Sequence, residues 1–146
     1  MTKILSPLES RLIDYATSLE LSELSDIGIE QTKRRIADTI GGAIGAYAME
    51  APRIARVVAP AISSGPSARV WGSLARTTPE AAAFANGTML RYLDINDTHR
   101  TVDGSHPSDN IGGLVATVES LSLSGRDLLL ATAISYEIQC RFVDVV

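Results

Sequence analysis

Ile29-Glu30-Gln31-Thr32-Lys33-Arg34-Arg35-Ile36-Ala37-Asp38-Thr39-Ile40-Gly41-Gly42-Ala43-Ile44-Gly45-Ala46-Tyr47-Ala48 is the stretch on which the fold turns. Ile29, Ile36, Ile40, Ala43, Ile44 and Tyr47 recur at spacings of three, four and seven, which places them on one face of a helix. Glu30, Lys33, Arg34 and Asp38 fall on the other. The apolar run from Ile36 to Met49 falls about a turn short of the ~20 residues that cross a bilayer. It also carries Asp38 and follows Lys33-Arg34-Arg35, so it reads as a buried helix of a soluble domain with no membrane partner. Gly41, Gly42 and Gly45 each cost such a helix about 1 kcal/mol against alanine, a penalty that predicts another backbone packed close against them.

Outward from this helix the chain reads as more helices. Ser6-Pro7-Leu8-Glu9 combines an N-cap serine, a proline at the first helical position and a glutamate at the third, and predicts a helix to about Leu19. Glu50-Ala51-Pro52 is expected to break the central pattern, with a short helix restarting from Arg53 to Ile62 and ending in Ser63-Ser64-Gly65-Pro66-Ser67. Arg69-Val70-Trp71 is a short extended piece. Thr77-Thr78-Pro79-Glu80 starts a further helix to about Asp94, the segment Asn96 to Ser108 is loop-like, and another helix spans about Ile111 to Ser122. Ser124-Gly125-Arg126-Asp127 caps the last one. Period-two alternation is almost absent, so the fold class is all-α. The last helix still presents Ile138, Phe142, Val143, Val145 and Val146 where the sequence stops, which predicts that 1–146 is a portion of a larger helical domain. The alternative is a frayed helix end that packs on a partner subunit.

Composition narrows the function. With 146 residues, 45% of them apolar, the chain suffices for one core. A net charge of −4 and 5% aromatics leave neither a basic stripe for phosphates nor stacking platforms for bases, so nucleic acid is not an expected partner. The single cysteine, Cys140, has no second thiol to pair with, which suits a reducing compartment. Proline and glutamate interrupt Met1 to Glu9 where a signal peptide needs an apolar core, so a cytoplasmic location is expected.

Both histidines of the chain fall between Arg91 and Asn110, together with Asp94, Asp97, Asp103 and Asp109. Imidazole exchanges protons near neutral pH, and a neighbouring carboxylate fixes its tautomer, so the segment holds the parts of an acid–base centre. Asp94 and Thr98 are four residues apart and would share one face if the helical turn continued through Asn96. Pro107 restricts His106 to an extended conformation, a device that positions a side chain. Ser108 or Asp109 could then cap the next helix, leaving the amides of Asn110 to Gly113 as an anion site, with Arg91 or Arg100 to assist a carboxylate substrate. The same composition also fits an ordinary solvated loop. A metal site is a third reading, because His99, His106, Asp94, Asp97 and Asp103 are ligands enough in number. Neither His-x-x-x-His spacing nor a calcium-loop pattern is present, however, and no metal or other cofactor is expected.

Four blocks in order then carry a resemblance: Asp38-Thr39-Ile40-Gly41-Gly42-Ala43-Ile44-Gly45, Ala85-Asn86-Gly87, Leu93-Asp94-Ile95-Asn96-Asp97-Thr98 and His106-Pro107-Ser108. The chain resembles the N-terminal third of the MmgE/PrpD family, which includes 2-methylcitrate dehydratase and cis-aconitate decarboxylase. The resemblance implies a helical domain followed by a lid domain, a homodimer when full-length, and metal-free lyase chemistry on citrate-like di- and tricarboxylates. It assigns Asp94, Thr98 and His106 to the catalytic positions, with His99, Asp97 and Asp103 as second choices whose expected role is to stabilise the loop; Arg91, Arg100 and Ser108 are the expected substrate-binding residues. A lysine and a tyrosine that the family draws from further along the chain have no counterpart here, since Lys3 and Lys33 both precede the motif. Independent turnover by 1–146 is therefore not expected.

Overall fold

The computed structural model describes residues 6–145. Outside them lie residues 1–5, part of the stretch read against a signal peptide, and Val146, the last of the apolar terminal residues. Helix α1 covers Pro7–Ser18, where the Ser6 hydroxyl accepts from the Glu9 amide at 3.2 Å and the Glu9 carboxylate accepts from the Ser6 amide at 2.7 Å. A turn of 3₁₀ helix, Leu21–Glu23, leads to α2, Asp26–Gly45. This helix starts three residues ahead of the apolar face because Ser25 caps it through the Gly28 amide. Helix α3, Glu50–Val58, corrects the expected break at Glu50-Ala51-Pro52, because those residues form its first turn. A proline there loses no hydrogen bond, since the first amides of any helix have no partner within it. The helix also ends ahead of Ile62, whose amide donates to the Arg76 carbonyl instead.

Two short antiparallel ladders qualify the all-α expectation without changing the mainly helical architecture. Strands β1, Ala68–Arg69, and β2, Arg76–Thr77, pair around a turn in which Gly72 has φ +76°. After α4, Pro79–Tyr92, capped by Thr78, strands β3, His99–Arg100, and β4, Gly104–Ser105, pair within the segment expected to be loop. A 3₁₀ turn, Pro107–Asn110, runs into α5, Ile111–Ser120, and α6, Gly125–Val143, follows with a reciprocal Ser124–Asp127 cap.

The core gathers around α4. Its Ala85, Met89 and Leu90 are buried with Ala43 of α2, Ala55 of α3, Val70, Trp71 and Ile111 of α5. Helices α4 and α5 make the most extensive contact in the fold. Here lies the close backbone approach that the glycines of α2 had predicted for themselves: a Cβ on Gly112 would sit 3.2 Å from the Gly87 amide nitrogen. Gly42 and Gly45 face only the side chains of Ile95 and Leu93, at 3.6 and 3.5 Å, and a Cβ on Gly41 would meet nothing within 4 Å. Asn86, fully buried, ties α4 to the first ladder: its Oδ1 accepts from the Trp71 amide at 3.0 Å and its Nδ2 donates to the Arg69 carbonyl at 2.9 Å. Among the described residues no helix is long and apolar enough to cross a membrane.

Candidate functional site

The end of α4 decides where Asp94 points. The helix stops at Tyr92, and Asp94 takes a left-handed conformation, φ +52°, in the position that commonly terminates a helix. This corrects the expectation that a continuing turn would set Asp94 and Thr98 on one face. The Asp94 carboxylate turns back onto Arg91 instead, with Nη1 to Oδ1 2.9 Å. Arg91 also approaches Asp109, Nε to Oδ1 3.6 Å, and Asn96 Oδ1 at 3.4 Å, so its guanidinium is engaged by the protein's own carboxylates. Burial, outweighing the attraction of Arg91, holds the Asp109 carboxyl above its ordinary pKa, with His106 acting to lower it and Asp97 and Asp94 to raise it.

Thr98 lies beside His106. Its Oγ1 is 3.4 Å from Nδ1, and the two residues line a polar cleft of about 290 Å³ with Arg100, Val102, Asp103 and Gly104. Arg100 makes no ion pair among the described residues, in contrast to Arg91. The His106 Nδ1 sits 2.7 Å from the Asp97 carbonyl oxygen. A carbonyl can only accept, which assigns the proton to Nδ1 and leaves Nε2 with its lone pair free. The expected partner of a histidine was a carboxylate; for His106 it is the main chain.

His99 has the carboxylate. Its Nε2 lies 2.8 Å from Asp144 Oδ1, beyond the C-terminal end of α6, and Thr101 Oγ1 donates to the same oxygen at 3.0 Å. The bond with His99, followed by that with Thr101, holds the Asp144 carboxyl below its ordinary range. These bonds clasp the β3–β4 hairpin to α6, which gives His99 a structural role. Asp103 is likewise local, accepting from the Gly104 amide at 2.7 Å.

Neither Ser108 nor Asp109 caps α5 as expected, because the 3₁₀ turn feeds directly into it and Asn110 occupies the cap position with no side-chain bond to the helix amides. The Ile111 amide is already turned to the Ser108 carbonyl. The Ser108 amide donates to Asp97 Oδ1 at 3.1 Å, so the carboxylate nearest this helical start is the protein's own. Ser108 is buried, and its hydroxyl accepts from Asn96 Nδ2 at 3.2 Å. The structure therefore brings Thr98, Arg100 and His106 into one cleft, and joins Asp94 and Arg91 to it through Asn96, Asp109 and Ser108. Tyr136 of α6 and Asp144 just beyond it carried no signal in the sequence, and Asn96 entered only as a member of the third block, with no role assigned. The Tyr136 hydroxyl is buried without a regular hydrogen bond, and burial followed by the nearby Asp97 carboxylate pushes its pKa up.

Comparison with known proteins agrees with the four sequence blocks. The pattern of the MmgE/PrpD N-terminal domain matches residues 10–146. The chain is 34% identical to human cis-aconitate decarboxylase over 145 residues, 93% of this chain and 30% of that protein. It is 32% identical to 2-methylcitrate dehydratase of Escherichia coli K12 over 141 residues, 88% and 28% of the two chains. With the enzyme of that name from Cupriavidus necator it shares 33% identity over 114 residues, 76% and 23%. The chain thus spans under a third of the length of these curated relatives. A domain pattern that runs from residue 10 through the whole helical core and the His106 cleft places this chain in the MmgE/PrpD family.

Proposed function

We propose that 1–146 is a single helical domain portion that supplies the proton-transfer and substrate-binding half of a cytoplasmic lyase centre, which eliminates water from a citrate-like tricarboxylate as 2-methylcitrate dehydratase does. One observation carries this reading: Arg100, a cation without an ion pair among the described residues, shares a polar cleft with a histidine whose Nδ1 is held by a main-chain carbonyl. Arg100 would bind a substrate carboxylate and Thr98 would donate to it. His106 Nε2 would accept the proton alpha to that carboxylate, and the hydroxyl at the next carbon would leave as water after taking up a proton. Asp94, with Arg91 beside it, would orient the substrate from the rim, and Ser108 would hold Asn96 in place. Completion by later segments of a full-length protein and by a second copy in a homodimer is part of the proposal. The human relative's name favours a second reading, decarboxylation in the same pocket, where the charge left on carbon is protonated in place.

Titration of 1–146 with 2-methylcitrate and cis-aconitate, followed by chemical shifts at the cleft, tests the half-site. Binding is expected to be lost in His106→Ala and weakened at least about tenfold in Arg100→Ala, roughly the 1.4 kcal/mol of a charge-assisted hydrogen bond. Affinity unchanged in both variants would favour a helical module that only associates with partners through its apolar terminus, where Phe142 and Val145 are exposed.

A further inference from the structure

Asp97 holds the His106 segment at two points. Its main-chain carbonyl accepts from His106 Nδ1 at 2.7 Å, and its side-chain Oδ1 accepts from the Ser108 amide at 3.1 Å, two residues further on. Between these two bonds lie His106 and Pro107, the latter buried and at the start of the 3₁₀ turn. Asp97 thus grips the segment with its main chain at His106 and with its side chain at Ser108. The buried Tyr136 hydroxyl of α6 lies near enough to feel the same carboxylate.

From this geometry we infer that Asp97 is a positioning residue, which sets the tautomer and direction of His106 so that Nε2 faces the cleft as a proton acceptor. The two histidines of the chain are then opposite tautomers. His106 carries its proton on Nδ1, against a carbonyl; His99 carries it on Nε2, against the Asp144 carboxylate at 2.8 Å. The consequence for catalysis rests on the lyase reading above, but the tautomer assignment does not. His106 is a proton acceptor in the cleft whatever the substrate proves to be.

Long-range nitrogen–proton NMR correlation on 1–146, above the titration of both imidazoles, reads each tautomer directly. The wild-type chain is expected to show pyrrole-type Nδ1 and pyridine-type Nε2 for His106, with the reverse for His99. The Ser108 amide, engaged with Asp97, is expected to exchange with solvent at least about tenfold more slowly than an unprotected amide, as local hydrogen-bonded structure requires. Asp97→Asn retains an oxygen acceptor and should leave the His106 pattern in place. Asp97→Ala releases the Ser108 amide, and the two His106 nitrogen resonances should then converge toward an averaged value while those of His99 stay apart. Ser108→Ala keeps the amide and should leave the His106 nitrogen pattern as in wild type, whatever its effect on binding through Asn96. A protonated Nε2 on wild-type His106, a freely exchanging Ser108 amide, or an Asp97→Ala spectrum unchanged at His106 would each overturn the inference. The first two are read on the wild-type chain and need no folded variant. Loss of polycarboxylate binding with the tautomers as stated would refute the lyase reading alone.

Discussion

Replacing Asn86 by aspartate changes a donor into an acceptor at nearly constant shape, at a residue that is fully buried. One carboxylate oxygen keeps the bond from the Trp71 amide, while the other is set against the Arg69 carbonyl, formerly 2.9 Å from a donor. The lost bond is worth about 1 kcal/mol. The larger effect is the charge: full burial beside an acceptor should raise the introduced carboxyl by roughly 2–3 pH units, which at about 1.4 kcal/mol per unit adds about 3–4 kcal/mol of destabilisation at neutral pH. Because the folded-state pKa lies above the unfolded one, the folded chain binds the proton more tightly. The added destabilisation is therefore absent below the unfolded pKa and grows as pH rises through the folded value. Urea unfolding followed by the fluorescence of Trp71, the only tryptophan, measures it at the affected strand. A deficit of roughly 4–5 kcal/mol against wild type at about pH 7.5 should shrink to about 2–3 kcal/mol at about pH 5. Asn86→Ala, which loses both bonds without adding charge, should cost about 2–4 kcal/mol at either pH. A deficit for Asn86→Asp below about 1 kcal/mol, or one that ignores pH, would refute the assignment of Asn86 as the buried link between α4 and the first ladder.

The glycines make a paired test: Gly112→Ala pushes a methyl to 3.2 Å from the Gly87 nitrogen and should destabilise by about 1–3 kcal/mol, while Gly41→Ala meets nothing and should stabilise by up to about 1 kcal/mol in thermal melts. At Asp94, whose φ is +52°, glycine should be about 1 kcal/mol more stable than alanine, although both remove the carboxylate and should weaken polycarboxylate binding alike. Equal stability of the two would argue that the left-handed turn is absent in solution. The Asp144 carboxyl is held below its ordinary value of 3.8, so its contribution is present above that pH and is lost as pH falls through the lower folded value. Hydrogen exchange should show the β3–β4 hairpin opening over that window in wild type, and already open at neutral pH in Asp144→Ala.

Capping patterns were legible because they are short-range. Ser6-Pro7-Leu8-Glu9, Thr78-Pro79 and Ser124 to Asp127 each join groups within a few residues, and each begins a helix where expected. Periodicity likewise identified α2, although its glycines were misread. A sequence shows that a helix tolerates glycine but not which neighbour arrives, and the neighbour at Gly112 was supplied by α4. The ladders escaped notice because two residues per strand are too few to establish alternation.

For the site, the order of residues was enough to supply the inventory: two histidines and four aspartates in one segment, a proline after His106, and the four blocks that place the chain in its family. The pairings came from the packed fold. His99 took the carboxylate of Asp144, 45 residues away, while His106 took a main-chain carbonyl; Arg91 was engaged and Arg100 left open. The physical reason is that residue types and local dihedral preferences are carried by neighbours along the chain. Hydrogen-bond partners and charge neighbours depend on which elements the core brings side by side, and here the packing of α4, α5 and α6 makes that choice.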